Sequence, residues 1–136
     1  MIQRIQTFWL LLAAAASIAS IRFPFYTGTL VEGSTYESLN ATAFIPLIIL
    51  TVLCALISFV TIFLYKNRSR QTWLTLLNIF VSIIVIVLFI LHLKDFSSGS
   101  FSLTSLFVFA VPIFLILALM GIRKDAKLIK SLDRLR

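Results

Sequence analysis

Few side chains in this sequence have the chemistry of a catalyst, a relay or a metal site. The one histidine, His92, is the only group that titrates near neutrality. It stands at the end of an apolar run, two residues before Lys94, where an interfacial histidine has no special meaning. The one cysteine, Cys54, lies inside another apolar run without a second cysteine, which excludes disulfides and cysteine metal clusters within the chain. No Asp, Glu, Lys or Arg occupies the centre of any apolar run. Such residues mark proton relays, ion pathways and substrate sites in membranes, and a proton-coupled exporter of this size would be expected to carry an acid there. Enzymes need nucleophilic or acid–base groups within reach of each other. The chain has no Ser/His/Asp, Cys/His, paired-carboxylate or metal-ligand pattern. The expectation is a protein that is not an enzyme, with no catalytic, cofactor-binding or metal-binding residues and no cofactor.

What remains in the apolar runs is hydrogen-bonding chemistry. Asn78 and Ser82 are one turn apart, and Ser17 and Ser58 belong to stripes of small residues (Ala13, Ala16, Ser17, Ser20; Thr51, Ala55, Ser58). Small residues let membrane helices approach closely, and an asparagine or serine can bond across the contact. Ser17, Ser58, Asn78 and Ser82 are therefore read as helix-packing positions, with Asn78 the sharpest because its amide must find a partner in a dry bundle.

Four apolar runs must position these groups: 5–21, 41–65, 72–93 and 101–122. At 1.5 Å per helical residue they extend from roughly 25 Å to well over 30 Å, against a hydrocarbon core of about 30 Å. Only helices or closed barrels satisfy their backbone in lipid, and runs this continuous are not alternating barrel strands. The predicted fold is all-α, a four-helix transmembrane bundle over 1–122 followed by a short amphipathic cytoplasmic helix over 123–136. Sixty per cent hydrophobic and 12% charged residues are far from a soluble composition. The excess charge of +7 is accordingly a membrane-rim signal and not a nucleic-acid one.

The basic residues give an orientation. Arg4, the group Lys66, Arg68 and Arg70, and the group Arg123, Lys124, Lys127, Lys130, Arg134 and Arg136 fall on one side, against Asp125 and Asp133. The other side has Arg22 and Lys94 against Glu32, Glu37 and Asp95. The positive-inside rule then predicts a multi-pass protein with both ends in the cytoplasm, where its rim meets anionic headgroups. Span one also resembles a signal peptide, with Ser17-Ile18-Ala19 as a cleavage pattern. Apolar character continues through Ile21, Phe23 and Phe25, so the span is expected to be retained and to end at Pro24. Trp9, Tyr65 and Trp73 on one side, and Phe23, Phe25, Tyr26 and Phe96 on the other, fit interfacial belts.

The first outer loop offers a hairpin of Thr29-Leu30-Val31 with Ser34-Thr35-Tyr36 across Glu32-Gly33, but an isolated hairpin is marginal. The second outer segment, 94–100, reads as a plain turn in which Asp95 or Ser100 caps span four. In the tail, Leu128, Ile129, Leu132 and Leu135 share an arc of about 120° at 100° per residue, opposite Arg123, Lys127, Lys130 and Arg134. Such a helix either lies in the interface on anionic lipid or docks its leucine face into a partner. Arg4 and Gln3 are placed to meet Asp125 or Asp133 at the inner surface.

Met1-Ile2-Gln3-Arg4-Ile5-Gln6-Thr7, with Arg123-Lys124-Asp125 and Leu128-Ile129-Lys130-Ser131-Leu132-Asp133-Arg134-Leu135-Arg136, resembles the two ends of an uncharacterised family of small four-span inner-membrane proteins of Bacteroidota. Ala126 departs from that pattern, where an acidic residue is expected. The resemblance implies a bacterial inner membrane and four spans; it carries no activity and assigns no roles. The expected function is that of an accessory subunit or assembly factor of a larger membrane complex, the alternative being a small oligomeric transporter of a small molecule or lipid. The expected contact residues, with lipid or with a membrane-protein partner, are Arg4, Arg123, Lys124, Lys127, Leu128, Lys130, Leu132, Asp133, Arg134 and Leu135.

Overall fold

In the computed structural model, residues 3–33 and 35–134 are described, except for the side chains of Gln3 and Arg4; the contact positions Arg4 and Leu135 thus lie outside the described residues. Four helices carry the apolar runs: α1 (Gln3–Arg22), α2 (Ile45–Phe63), α3 (Arg68–His92) and α4 (Ser105–Asp133). All four are long and apolar enough to cross a membrane. The helix α1 stops two residues before Pro24, as its ring requires. Pro46 sits in the first turn of α2, where no backbone donor is lost. Span two starts later than its apolar run, because Ala41–Ala43 form a single 3₁₀ turn and Phe44 is extended. Span three starts earlier, at Arg68, since 64–67 suffice for the reversal.

Packing is cyclic: α1 touches α2 and α4, and α3 touches α2 and α4, with the most extensive contact between α1 and α4. The surface is inverted relative to a water-soluble bundle. Only 33–39% of each span is buried by the protein itself, and Phe8, Leu11, Ile49, Leu56, Phe80 and Ile113 are exposed. Gln6, Thr61, Gln71, Thr75 and Asn78 are buried instead. An apolar exterior on this scale requires an apolar solvent. The chain is an all-α, four-helix membrane bundle.

Span four and the tail form one helix of 29 residues, about 43 Å long. Burial along it continues through Ile122 and Asp125 and then ceases.

One end of the bundle carries a small antiparallel sheet in the order β2-β1-β3, made of β1 (Tyr26–Leu30), β2 (Tyr36–Leu39) and β3 (Phe96–Phe101). The hairpin pairs Tyr26 with Leu39 and Thr29 with Tyr36, a register displaced toward longer strands than the sequence suggests. The segment read as a plain turn is instead β3, which pairs Thr27 with Ser100 and Gly28 with Gly99. This third strand removes the weakness of a two-stranded hairpin. Neither Asp95 nor Ser100 caps α4; Asp95 ends a 3₁₀ turn, Ser100 is in β3, and the residue before α4 is Thr104, whose hydroxyl donates to Pro24 O. Under the sheet, Phe25 stacks on Phe89 at 4.4 Å between ring centroids, and Leu39, Ala41, Leu47, Val85 and Val108 complete a closed apolar layer.

Gly28 and Gly99 allow β1 and β3 to meet. A Cβ on Gly28 would lie 2.8 Å from Gly99 Cα, and one on Gly99 2.7 Å from Gly28 Cα. Because the obstructing atoms are backbone, Gly28→Ala should cost about 1–3 kcal/mol, as overpacking does. Thermal unfolding in detergent or nanodiscs would register it, and an unchanged midpoint would contradict this register.

Candidate functional site

The polar side chains of the interior form a seam along one face of α3. Arg68, Gln71, Thr75, Asn78 and Ser82 follow one another at intervals of three and four residues, and a helix places such positions above one another. From Arg68 to Ser82 the rise is about 21 Å, some two-thirds of a hydrocarbon core of about 30 Å.

The seam begins in a three-helix junction at the end remote from the sheet. Asp125 of α4, 4% exposed, accepts a hydrogen bond from Gln6 Nε2 of α1 at 3.0 Å on its Oδ2. Arg68 Nη1 of α3 approaches the same oxygen at 3.2 Å. Gly121, one turn before Asp125 on α4, makes room for α1: a Cβ there would be 3.3 Å from Gln6 Cβ. Charged and unbonded, a carboxylate in this position would be costly to bury; the guanidinium and the amide make it tolerable. Asp125 thus meets Gln6 and Arg68; the contact with Arg4 or Gln3 expected from the sequence involves side chains outside the described residues.

One turn further in, Gln71 Nε2 donates to Thr61 O of α2 at 3.3 Å, and Thr75 Oγ1 donates to Gln71 O at 2.8 Å. Next, Asn78 Nδ2 donates to Ser58 Oγ at 2.7 Å and to Cys54 O at 3.2 Å, joining α3 to α2. Ser17 and Ser82 bond within their own helices, to Ala13 O at 2.9 Å and Ile79 O at 2.7 Å. Ser17 also lies beside the Cys54 thiol of α2. The seam ends at a cavity of about 10 Å³ lined by Ser17, Ser20, Thr51, Cys54 and Ser82 together with Val85, Val108 and Val111. Phe25 and Phe89 form part of the apolar layer beyond.

Three amide oxygens of the seam, Gln6 Oε1, Gln71 Oε1 and Asn78 Oδ1, are buried without a protein partner. Each such acceptor costs about 1–3 kcal/mol if it stays unbonded. Removing the asparagine amide has a smaller effect, because helix-to-helix bonds in membranes average about 0.6 and reach about 1.7 kcal/mol. Asn78→Leu is therefore expected to weaken folding by that modest amount, measured by denaturant titration; a loss several times larger would mean that Asn78 organises more than one contact.

His92 is distant from this seam in the chain's layout, at the sheet end of α3. Its Nδ1 lies 2.8 Å from Leu88 O and its ring packs on Phe44 with 3.7 Å between centroids. Among the described residues no group of three His, Cys, Asp or Glu side chains could hold a metal ion. The seam can accept and donate hydrogen bonds, but it pairs no nucleophile with a base.

Arg123, Lys124, Lys127, Leu128, Lys130, Leu132, Asp133 and Arg134 are all exposed. Sequence reasoning missed Gln6, Arg68, Gln71 and Thr75. The signal for the last three was the polar spacing that continues through Asn78 to Ser82.

The bundle and its inverted surface define a multi-pass membrane protein. Residues 2–135 match the family model described as Domain of unknown function (DUF4293), and the chain belongs to that family. Comparison with curated proteins and with solved structures gives no match.

Proposed function

We propose that this protein is a non-enzymatic accessory subunit or assembly factor of a larger complex in a bacterial inner membrane, with both termini in the cytoplasm. The observation that carries this reading is the exposed end of α4. Beyond Asp125 the helix continues in line for two turns, with Leu128, Ile129 and Leu132 exposed at 44%, 45% and 65%. Residues 127–134 extend about 12 Å, more than the roughly 5–7 Å of headgroup layer on each side of a bilayer. A helix that continues the bundle axis favours docking over lying flat in the interface. Its occupant is a membrane-protein partner whose cytoplasmic surface offers an apolar groove with an acidic rim, complementary to Lys127, Lys130 and Arg134. Arg123 and Lys124, nearer the bundle, suit contact with anionic headgroups.

Site-specific photo-crosslinking from Leu132 in native membranes tests the docking. The expected product is one stoichiometric protein adduct that charge reversal at Lys127 and Lys130 diminishes, since complementary rim charge mainly speeds association. Lipid adducts alone at Leu132 would refute it, and adducts with a second copy alone would favour the small oligomeric transporter. Reporter fusions after Tyr36 and Ser98 are expected on the extracytoplasmic side, and fusions after Arg70 and Arg136 in the cytoplasm; the opposite pattern would overturn the orientation.

A further inference from the structure

Burial of a polar seam is ordinary when every group is bonded; here three amide oxygens and one guanidinium nitrogen are not. Gln6 Oε1, Gln71 Oε1 and Asn78 Oδ1 are acceptors, in residues 3%, 1% and 1% exposed. Arg68 Nη1 approaches Asp125 Oδ2 as an ion pair but makes no hydrogen bond of good geometry, so a donor stands free where the seam begins. A ligand for this set must both accept from a guanidinium and donate to amide oxygens, and it must fit between close-packed helices. Water has those properties, and buried waters characteristically take about three such bonds. The inner cavity, at about 10 Å³, is at the lower size limit for one water. Its hydroxyls supply more acceptors, because Thr51 and Ser82 each spend the proton on a backbone carbonyl and keep their lone pairs.

We infer that the interior of the four-helix bundle holds a file of water, entered beside Arg68 and running past Gln71 and Asn78 to the cavity next to Cys54. Entry is at the basic end because the Arg68 side chain, 17% exposed, connects the seam to solvent. The file stops at the apolar layer of Phe25, Leu47, Val85 and Phe89, where nothing can bond it. The bundle therefore has a wet half and a dry half. This reading is independent of the docking arm and holds whichever partner the arm takes.

Cys54 makes the inference measurable. It lines the inner cavity, is 2% exposed and is the only thiol in the chain, so its S–H band in the infrared needs no assignment. The full chain in lipid nanodiscs is transferred to D₂O, and conversion of S–H to S–D is followed in time. A comparison chain, Cys54→Ala with Leu115→Cys, carries its thiol in the apolar core, at a position that does not line the cavity. Cys54 is expected to exchange at least about tenfold faster than the thiol at 115, and Asn78→Leu should slow it by about tenfold, the factor of a 1.4 kcal/mol change.

The sign of the Asn78→Leu effect is diagnostic. Mere loosening of the α2–α3 contact would speed exchange, whereas loss of a water anchor slows it. Gln71→Leu gives the same test nearer the entrance if Asn78→Leu does not fold. Equal exchange at Cys54 and at 115, or exchange that either variant leaves unchanged or accelerates, would overturn the water file.

Discussion

Asp125→Ala is expected to destabilise the protein by about 3–5 kcal/mol, because it leaves Arg68 and Gln6 facing each other in a buried junction without the carboxylate that both contact. On the scale of soluble domains this corresponds to a fall of roughly 10 °C or more in the thermal midpoint. Arg68→Leu should cost nearly as much, since it strands a carboxylate that is 5% exposed. The pair Arg68→Met with Asp125→Leu should recover most of the loss, as well-packed apolar replacements of buried ion pairs do. The double-mutant cycle then gives a coupling energy well above the 0–1 kcal/mol of an exposed pair. A coupling in that lower range would show that solvent screens the junction.

Two truncations one turn apart are expected to behave oppositely. Ending the chain after Ala126 removes, among the described residues, only exposed ones and should leave stability within about 0.5 kcal/mol of the full chain, as for surface changes elsewhere. Ending it after Gly121 removes Ile122, fully buried, and Asp125 with its two partners. That protein should be poorly folded, by the several kcal/mol of a broken buried pair plus a lost core side chain. The shorter deletion is therefore the one that tests docking: it should remain in the membrane in normal amount and lose the Lys127- and Lys130-dependent partner. A chain ending at Gly121 that is as stable as one ending at Ala126 would contradict the junction.

The spans were legible because a membrane helix needs length and apolarity, and both survive in composition without knowledge of contacts. Their ends were less so: residues 41–44 are apolar but coil into a 3₁₀ turn and an extended residue, while Arg68–Gln71 are polar yet helical. The strand β3 was hidden because Phe96-Ser97-Ser98-Gly99-Ser100-Phe101 has little strand propensity and gains its order from a partner some seventy residues earlier. Asp125 was hidden for a different reason. Set among Arg123, Lys124 and Lys127, it reads as a rim charge placed to meet Arg4 or Gln3 at the inner surface, and only the packing of α1 against α4 shows that it is buried. The candidate packing positions Asn78 and Ser58 do meet, since an amide in a dry bundle has few partners to choose from.

The pairing of β1 with β3 has a consequence for biosynthesis. β1 emerges directly after the first helix, but its second neighbour is made only after the third helix is complete. In the same way, α1 waits for α4, the last helix, to supply its largest contact. Both closures join segments far apart in the chain, so neither the sheet nor the ring of helices can be finished until the segments that follow α3 have been made. Contacts so distant in sequence form slowly, and meanwhile the β1–β2 hairpin stands alone with an unpaired edge. The nascent chain passes through a stage with three helices inserted and an open flank on α1 and α3, and it is at this stage that a membrane chaperone or a partner subunit would find the most surface to hold.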